Sequence, residues 1–339
     1  MSVFFQIHPT ELSRRRARCT PIIERIARFE QECSTVCNIC GSDSAAILSK
    51  TDRYGFPGRS AMCLYCGLIY NMDRFKPDGY TEFYVTGVYR QLIGAFKSLE
   101  QSIGRVHAGQ IQYAANLVRS FDGVISKNPK GRMLDVGGST GLVAQEFQKH
   151  FGHQPTILEP AEEEVKKAKS IGVDAVVGSL ETWQTDEKFD VILLCRTVEH
   201  LYDLRLSLTK IHALLKPGGL FFCDLAEFLE IVRREGPPEA TTKIDHVFWL
   251  TQETAPAIFR MFGFELAAMQ LTLPSDQVGF LLRATDPRPL QPVSPAWIHE
   301  KLRFFREVTT DWNRYGAHAL DPMDWIRQSA YRLKRKIIR

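Results

Sequence analysis

"GRMLDVGGSTGLVAQEFQKHFG", residues 131–152, decides the fold. A short apolar run ends in Asp135. A turn of small residues follows, and then apolar residues recur at helical spacing. The order is strand, glycine-rich turn, helix, which is how an α/β unit opens.

The chain continues in the same alternation. "PTILEP" (155–160) reads as a second strand and "AEEEVKKAKSIG" (161–172) as a helix closed by Gly172. "VDAVVGS" (173–179) is a third strand, and "FDVILLCRT" (189–197) a fourth, apolar nearly throughout as a strand buried on both faces should be. "YDLRLSLTKIHALLKPGG" (202–219) is an amphipathic helix ended by Pro-Gly-Gly, and "LFFCDLA" (220–226) a fifth strand. A helix over 251–263 precedes "FELAAMQLTL" and "VGFLLRAT", two strands joined by a short turn and therefore antiparallel. Strands alternating with helices predict an α/β fold with a doubly wound, mostly parallel sheet, binding its ligand at the carboxyl ends of the strands. The spacing G-G-S-T-G from Gly137 fails the dinucleotide fingerprint G-x-G-x-x-G, and no phosphate-loop lysine follows.

Upstream, two matching figures stand out: "CNICG" (37–41) and "CLYCGLIY" (63–70). Cys37, Cys40, Cys63 and Cys66 supply four thiolates, enough to close a tetrahedral zinc site with no position left for water. Such a site is structural. Gly41 and Gly67 tolerate the positive φ that a knuckle demands after its second cysteine. The intervening residues 42–62, with Gly55, Pro57 and Gly58 as turn residues, suit two short strands of a zinc ribbon. A ribbon of about 40 residues buries too little surface to fold alone, and the metal supplies the deficit.

The 339 residues are 44% hydrophobic and 24% charged, with a net charge of +4, too modest to argue for nucleic acid. No apolar run approaches the length of a membrane span, and the N-terminus places its arginines after its apolar residues, the reverse of a secretory signal. A cytoplasmic protein is expected. The organisation expected is a basic helical arm over 1–32, a zinc ribbon over 33–78, an aromatic lid or helical linker over 79–128, the main domain over 129–286 and a helical basic extension over 287–339.

"MLDVGGSTG", "ILEP", "FDVILLCRTVEHLYD" and "LLKPGGLFFCD" occur in the order found in class I S-adenosylmethionine-dependent methyltransferases, and the chain resembles that family over roughly residues 129–285. With its cysteine pairs it resembles the bacterial members that carry an N-terminal zinc ribbon, many of which modify sugars, glycans or secondary metabolites. The resemblance implies a Rossmann-like methyltransferase sheet, S-adenosylmethionine as cofactor and a structural zinc ion. Ser139 stands where the family usually has glycine. By this resemblance Gly137, Gly138, Ser139 and Gly141 form the cofactor turn. Asp135 orders it or receives the cofactor amino group through water. Glu159 accepts the ribose hydroxyls, Ser179 and Leu180 border the adenine, and Arg196 and Thr197 face the reaction centre.

Glu199 and His200 in "TVEHLYD", with His246 in "KIDHVFWLT", are the candidates for chemistry or substrate contact, His200 first because imidazole titrates near neutrality. Tyr80, Tyr84, Tyr89 and Arg90 form either a lid over the cofactor or a pad between ribbon and main domain. His107 reads as a surface or packing residue. Pro21 suits the first position of an N-terminal helix, and residues 324–339 a basic amphipathic helix that packs or touches an anionic membrane.

The leading function is methyl transfer to a sugar, glycan or related small molecule, with oxygen favoured as the acceptor. An RNA methyltransferase using the ribbon to hold RNA and a non-catalytic scaffold with a degenerate fold are the alternatives. Against the first, no Asn/Asp-Pro-Pro-aromatic loop follows the fourth strand.

Overall fold

The computed structural model describes residues 5–272 and 277–317. It opens with α1 (Pro9–Ile26), capped by His8, whose Nδ1 accepts the Thr10 N–H, and started by Pro9. Pro21 therefore lies inside a helix and not at its start, contrary to the sequence reading. The helix carries on through it because Leu12, Cys19 and Ile26 are buried on either side, and packing outweighs one lost hydrogen bond.

The ribbon follows. β1 (Gln31–Cys33) pairs with β5 (Asp73–Phe75) and closes its base. Between them run β2 (Ala45–Thr51), β3 (Pro57–Cys63) and β4 (Ile69–Asn71), all antiparallel. Pro57 and Gly58, expected in the turn, belong to β3. The turn is instead made by buried Asp52, whose Oδ1 accepts the N–H groups of Tyr54 and Phe56 while Gly55 takes φ +91°. Three helices then lead to the main sheet: α2 (Pro77–Val85), α3 (Val88–Lys97) and α4 (Ile103–Ser120).

The sheet is built from β6 (Arg132–Val136), α5 (Leu142–Phe151), β7 (Gln154–Glu159), α6 (Glu162–Ser170), β8 (Asp174–Val177), β9 (Phe189–Leu194), α7 (Leu204–Leu214) and β10 (Leu215–Ala226). Short helices α8 (Phe228–Glu235) and α9 (Pro238–Thr241) follow, then the two-residue strand β11 (Phe248–Trp249) and α10 (Ala255–Met261). Strands β12 (Phe264–Thr272) and β13 (Gln277–Ala284) precede the long helix α11 (Pro295–Ala317).

Seven strands lie in the order β12-β13-β10-β9-β6-β7-β8. β6 to β10 are parallel, and β13 runs antiparallel to both β10 and β12, as the short connection required. The order reverses direction at β6, which puts the topological switch point beside the glycine turn. The helix expected over 202–219 stops at Leu214, and Pro217-Gly218-Gly219 lies in an irregular start to β10, where Gly218 takes φ +71°. β11 was not anticipated. It adds to the ribbon, giving a second sheet in the order β11-β4-β3-β2.

The core has two parts. One sheet face packs on α4, α5 and α6 through residues such as Leu117, Phe121, Phe147, Val165 and Phe222. The other packs on α7 and α10 and runs without a break into the ribbon, α1, α2, α3 and α11 through Leu134, Ile192, Phe221, Phe75, Phe83 and Trp312. No helix of the described residues is long and apolar enough to cross a membrane. The basic segment at 324–339 lies outside the described residues.

Candidate active site

The carboxyl ends of β6, β7 and β9 converge on the turn 137–141. Gly137 adopts φ +70°, and a Cβ there would sit 2.5 Å from Thr197 Oγ1. A Cβ on Gly138 would lie 2.9 Å from the Asp135 carboxyl group. Both positions exclude side chains, so the loop presents bare backbone. Gly141 takes φ +86° and starts α5. Ser139 occupies φ +50°, a region that glycine enters freely and serine only with strain. That accounts for the family's usual glycine at this place.

Asp135 is wholly buried at the end of β6, and neither of its carboxylate oxygens has a partner in the protein. Burial, with Glu159 and Asp224 nearby, pushes its pKa up to about 8. A buried carboxyl without a donor is costly unless a ligand completes it. Glu159, at the end of β7, accepts the Ser139 N–H through Oε2 and the Ala161 N–H through Oε1, each at 3.0 Å. Each oxygen keeps a lone pair free, so the group can still receive ribose hydroxyls. Thr140 is clasped from above by α4, through His107 Nδ1 and Gln110 Oε1, both at 3.0 Å. His107 thus touches the glycine turn. The unpartnered acid, the bare loop and the strand-end glutamate suit S-adenosylmethionine.

Ser179 and Leu180 follow β8. The Ser179 carbonyl accepts the Trp183 N–H, and Leu180 is buried in the core. After β9, Arg196 takes φ +54°, its N–H donates to Asp224 Oδ1 at 2.6 Å, and its guanidinium lies over the Tyr113 ring. The Tyr113 hydroxyl donates to Asp224 Oδ2 at 2.8 Å. Thr197 Oγ1 donates to the Cys195 carbonyl.

The next turn carries the candidates for chemistry. Glu199 is buried. Its Oε1 accepts the Ala226 N–H at 2.6 Å and its carbonyl accepts the Val247 N–H, so it ties β10 to the 242–249 segment. Burial raises its pKa to about 7. His200 Nδ1 lies 2.7 Å from the Asp245 carbonyl, which can only accept, and 2.8 Å from the Tyr84 hydroxyl; a proton on Nδ1 serves the carbonyl and leaves Nε2 as the basic nitrogen. The Tyr84 hydroxyl donates to the same carbonyl at 2.9 Å, and the Tyr80 hydroxyl to the His200 carbonyl at 2.7 Å. His246 stands edge-on to His200, with ring centroids 4.6 Å apart. Its Nε2 is 3.3 Å from Lys243 Nζ, and its buried Nδ1 has no partner. Burial lowers the pKa of both histidines, His246 further because Lys243 adjoins it.

Tyr80 and Tyr84 therefore meet the histidine turn, while Phe83 packs on Phe75 of the ribbon. Further along, Tyr89 and Arg90 both contact Glu164 in the first turn of α6. The aromatic segment thus touches the histidine turn and α6 on one side and the ribbon on the other, as the pad between ribbon and main domain would. Asp224, Tyr113, Asp245 and Lys243 were missed in the sequence. Only Asp245 had a signal there, as the acid beside a candidate histidine.

In the ribbon, the four sulfurs lie within 4.8 Å of one another. Cys37 and Cys66 are 3.5 Å apart, as are Cys40 and Cys63. Four thiolates about 2.3 Å from one ion would sit roughly 3.8 Å apart. Gly41 and Gly67 have nearly equal φ, +75° and +76°, and donate to the carbonyls of Cys37 and Cys63. Hydrogen bonding among the four clustered thiols lowers the pKa of Cys63 and Cys40 and raises that of Cys37 and Cys66. The donor set suits zinc.

Residues 107–268 match the family model described as a methyltransferase domain. Among curated proteins, the chain is 33% identical over 95 residues to a ubiquinone biosynthesis O-methyltransferase of Nitrobacter winogradskyi, covering 26% of this chain and 36% of that one. It is 31% identical over 127 residues to the Bradyrhizobium diazoefficiens protein of the same name, covering 35% and 49%. The chain thus spans between a third and a half of the length of these relatives. Among solved structures, magnesium protoporphyrin IX methyltransferase from Synechocystis PCC 6803 with bound SAH aligns with 60% of this chain and 96% of its own, at 13% identity and TM-score 0.44. A methyltransferase from Haloferax volcanii, described as putative and solved with an activator protein, aligns with 54% and 95%, at 16% identity and TM-score 0.45. The matched stretch, residues 107–268, runs from α4 into β12 and so takes in the parallel strands of the sheet described above.

Proposed function

We propose that this protein methylates a hydroxyl oxygen of a sugar, glycan or related small molecule in the cytoplasm, with His200 as the base and a structural zinc ion bracing the acceptor site. The observation that carries the reading is the 2.7 Å contact of His200 Nδ1 with the Asp245 carbonyl, in the turn that follows β9. S-adenosylmethionine, when bound, supplies a methyl group on a sulfonium, ready for in-line displacement. Gly137 and Gly138 let the backbone approach it, and Glu159 orients it through the ribose. His200 Nε2 takes the proton of the acceptor hydroxyl. The Asp245 carbonyl holds the imidazole and favours the imidazolium that forms. The names of the curated relatives support oxygen as the acceptor atom. The zinc-ribbon resemblance supports the sugar class, and eight free cysteines suit a reducing compartment.

Titration calorimetry of S-adenosylmethionine into zinc-loaded protein tests the cofactor site. Micromolar binding that weakens at least tenfold in Glu159→Ala is expected, and no binding by the wild type would remove the enzyme reading. A panel of sugars and nucleotide sugars with radiolabelled cofactor tests the acceptor. Because burial lowers the His200 pKa, turnover should rise with pH through a value below about 6.5 and stay level above it.

A further inference from the structure

The ribbon touches the histidine turn at Tyr202 and Asp203, through Arg74 and Asn38, and it holds residues 242–249, the segment that meets His200 Nδ1. Along its length the ribbon holds it: the Arg53 N–H donates to the Thr242 carbonyl, and Asp52 Oδ2 accepts the Ile244 N–H. Tyr70 and Ile69 pair with Phe248 and Trp249. Asn71, at the end of β4 and 7% exposed, makes the densest contact. Its Nδ2 donates to the carbonyls of Lys243 and His246, at 2.9 and 2.8 Å, and its N–H donates to the Val247 carbonyl at 2.9 Å.

On its other side the same segment grips the histidine turn. The Val247 N–H donates to the Glu199 carbonyl, and the Asp245 carbonyl receives His200 Nδ1. Asn71 spans Asp245 from both flanks, since its amide holds the carbonyls two residues before and one residue after. β4 itself leaves the second zinc knuckle directly, where the Cys63 N–H donates to the Leu68 carbonyl.

We propose that Asn71 is the positioning residue through which the zinc ribbon sets the Asp245 carbonyl, and hence the tautomer and orientation of His200. Asn71 touches no reacting atom. Loss of zinc frees β4, β4 releases residues 243–247, and His200 loses the acceptor that fixes its Nδ1 proton. Zinc loading thereby governs proton removal while leaving the cofactor turn in place, because β6, β7 and α4 hold that turn without the ribbon. The inference rests on His200 being the base.

The test uses full-length, zinc-loaded protein with ¹⁵N-labelled histidine and bound S-adenosylhomocysteine, with His200 assigned through His200→Gln. Long-range ¹H–¹⁵N spectra report the tautomer. Wild type should show His200 protonated at Nδ1. Asn71→Ala, and the isosteric Asn71→Asp, which removes the amide donor, should convert it to a mixture. Zinc content and S-adenosylhomocysteine affinity should stay within about twofold of wild type. Withdrawing zinc from the wild type should give the same His200 spectrum, which provides the test without a variant should both variants misfold. An unchanged His200 tautomer on zinc withdrawal, or in folded Asn71 variants, overturns the proposal. So does a change that appears only with lost S-adenosylhomocysteine affinity. Failure of wild type to bind S-adenosylhomocysteine would instead overturn the enzyme reading.

Discussion

The zinc ribbon and the cofactor turn both rest on glycines at positive φ, yet they are held by different forces. In the ribbon, Gly41 and Gly67 let two knuckles fold back so that four sulfurs face one point. In the turn, Gly137 and Gly138 leave the backbone bare, because a Cβ at either would meet Thr197 or Asp135. The first site is closed by the protein's own side chains. The second stays open, and its buried acid Asp135 waits for a partner. The surroundings differ as well. The sheet has a hydrophobic layer on both faces, whereas the ribbon shares one of those layers and has none of its own. The ribbon therefore depends on metal and on a borrowed core, and the cofactor turn depends on the sheet beneath it.

The largest effect that would sharpen this contrast is metal removal. Structural zinc sites contribute on the order of 10 kcal/mol in small modules, so chelation should abolish the native fold of residues 37–71. Because the ribbon shares its core, the melting temperature of the whole chain should fall too. A melt unchanged after zinc release would show that the ribbon is energetically separate.

Next comes the far face of the sheet. Phe222 is fully buried and stacks edge-on to Phe121 with centroids 4.9 Å apart. Phe222→Ala should cost about 3–5 kcal/mol in urea unfolding and leave zinc affinity unchanged. Joint loss of both would mean that the two core layers are not distinguishable.

Gly137→Ala probes the open site. The new Cβ would meet Thr197 at 2.5 Å in a backbone region disfavoured for alanine. Calorimetry should show cofactor affinity reduced by tenfold or more, about 1.4 kcal/mol or above. Equal binding would mean that the turn shifts freely, against the rigid cradle inferred here.

Acids in both regions carry a smaller, graded signal. Burial raises Asp52 on the ribbon side to about 7 and Asp135 on the sheet side to about 8. An acid whose pKa is raised on folding stabilises below its unfolded value and loses that contribution as pH rises through the folded one. Stability of the cofactor-free protein should therefore decline from about pH 4 to pH 8. Asp135→Asn should remove part of the slope, and a flat profile in wild type would contradict burial of these groups.

Ser139→Gly should have the smallest effect. It relieves a serine at φ +50°, worth about 1 kcal/mol, less the entropy that glycine gains when unfolded. A small rise in melting temperature or cofactor affinity would show that the serine is tolerated at a cost.

Much of this molecule could be read along the chain, because its signals are local. Strand and helix periods around Asp135, Glu159 and Phe189–Leu194 gave the sheet. The repeated C-x-x-C-G gave the ribbon, since both zinc ligation and knuckle geometry are set by residues within five positions. Pro21 and Pro57 were misjudged because proline reads as a boundary in isolation: buried residues on either side carry α1 through Pro21, and exposed Pro57 is tolerated at the first position of β3, where a proline costs no ladder bond.

What the sequence determined alone is the existence of a glycine turn, two cysteine knuckles and a histidine after the fourth strand. Their chemistry depends on residue type and short spacing. What only the tertiary structure decided is which of them meet. The carbonyl that fixes His200 lies 45 residues away at Asp245. The amide that holds Asp245 in place belongs to Asn71, 172 residues before Lys243. No periodicity encodes such pairings, because they arise when β11 joins the ribbon's sheet and buried backbone carbonyls must find donors.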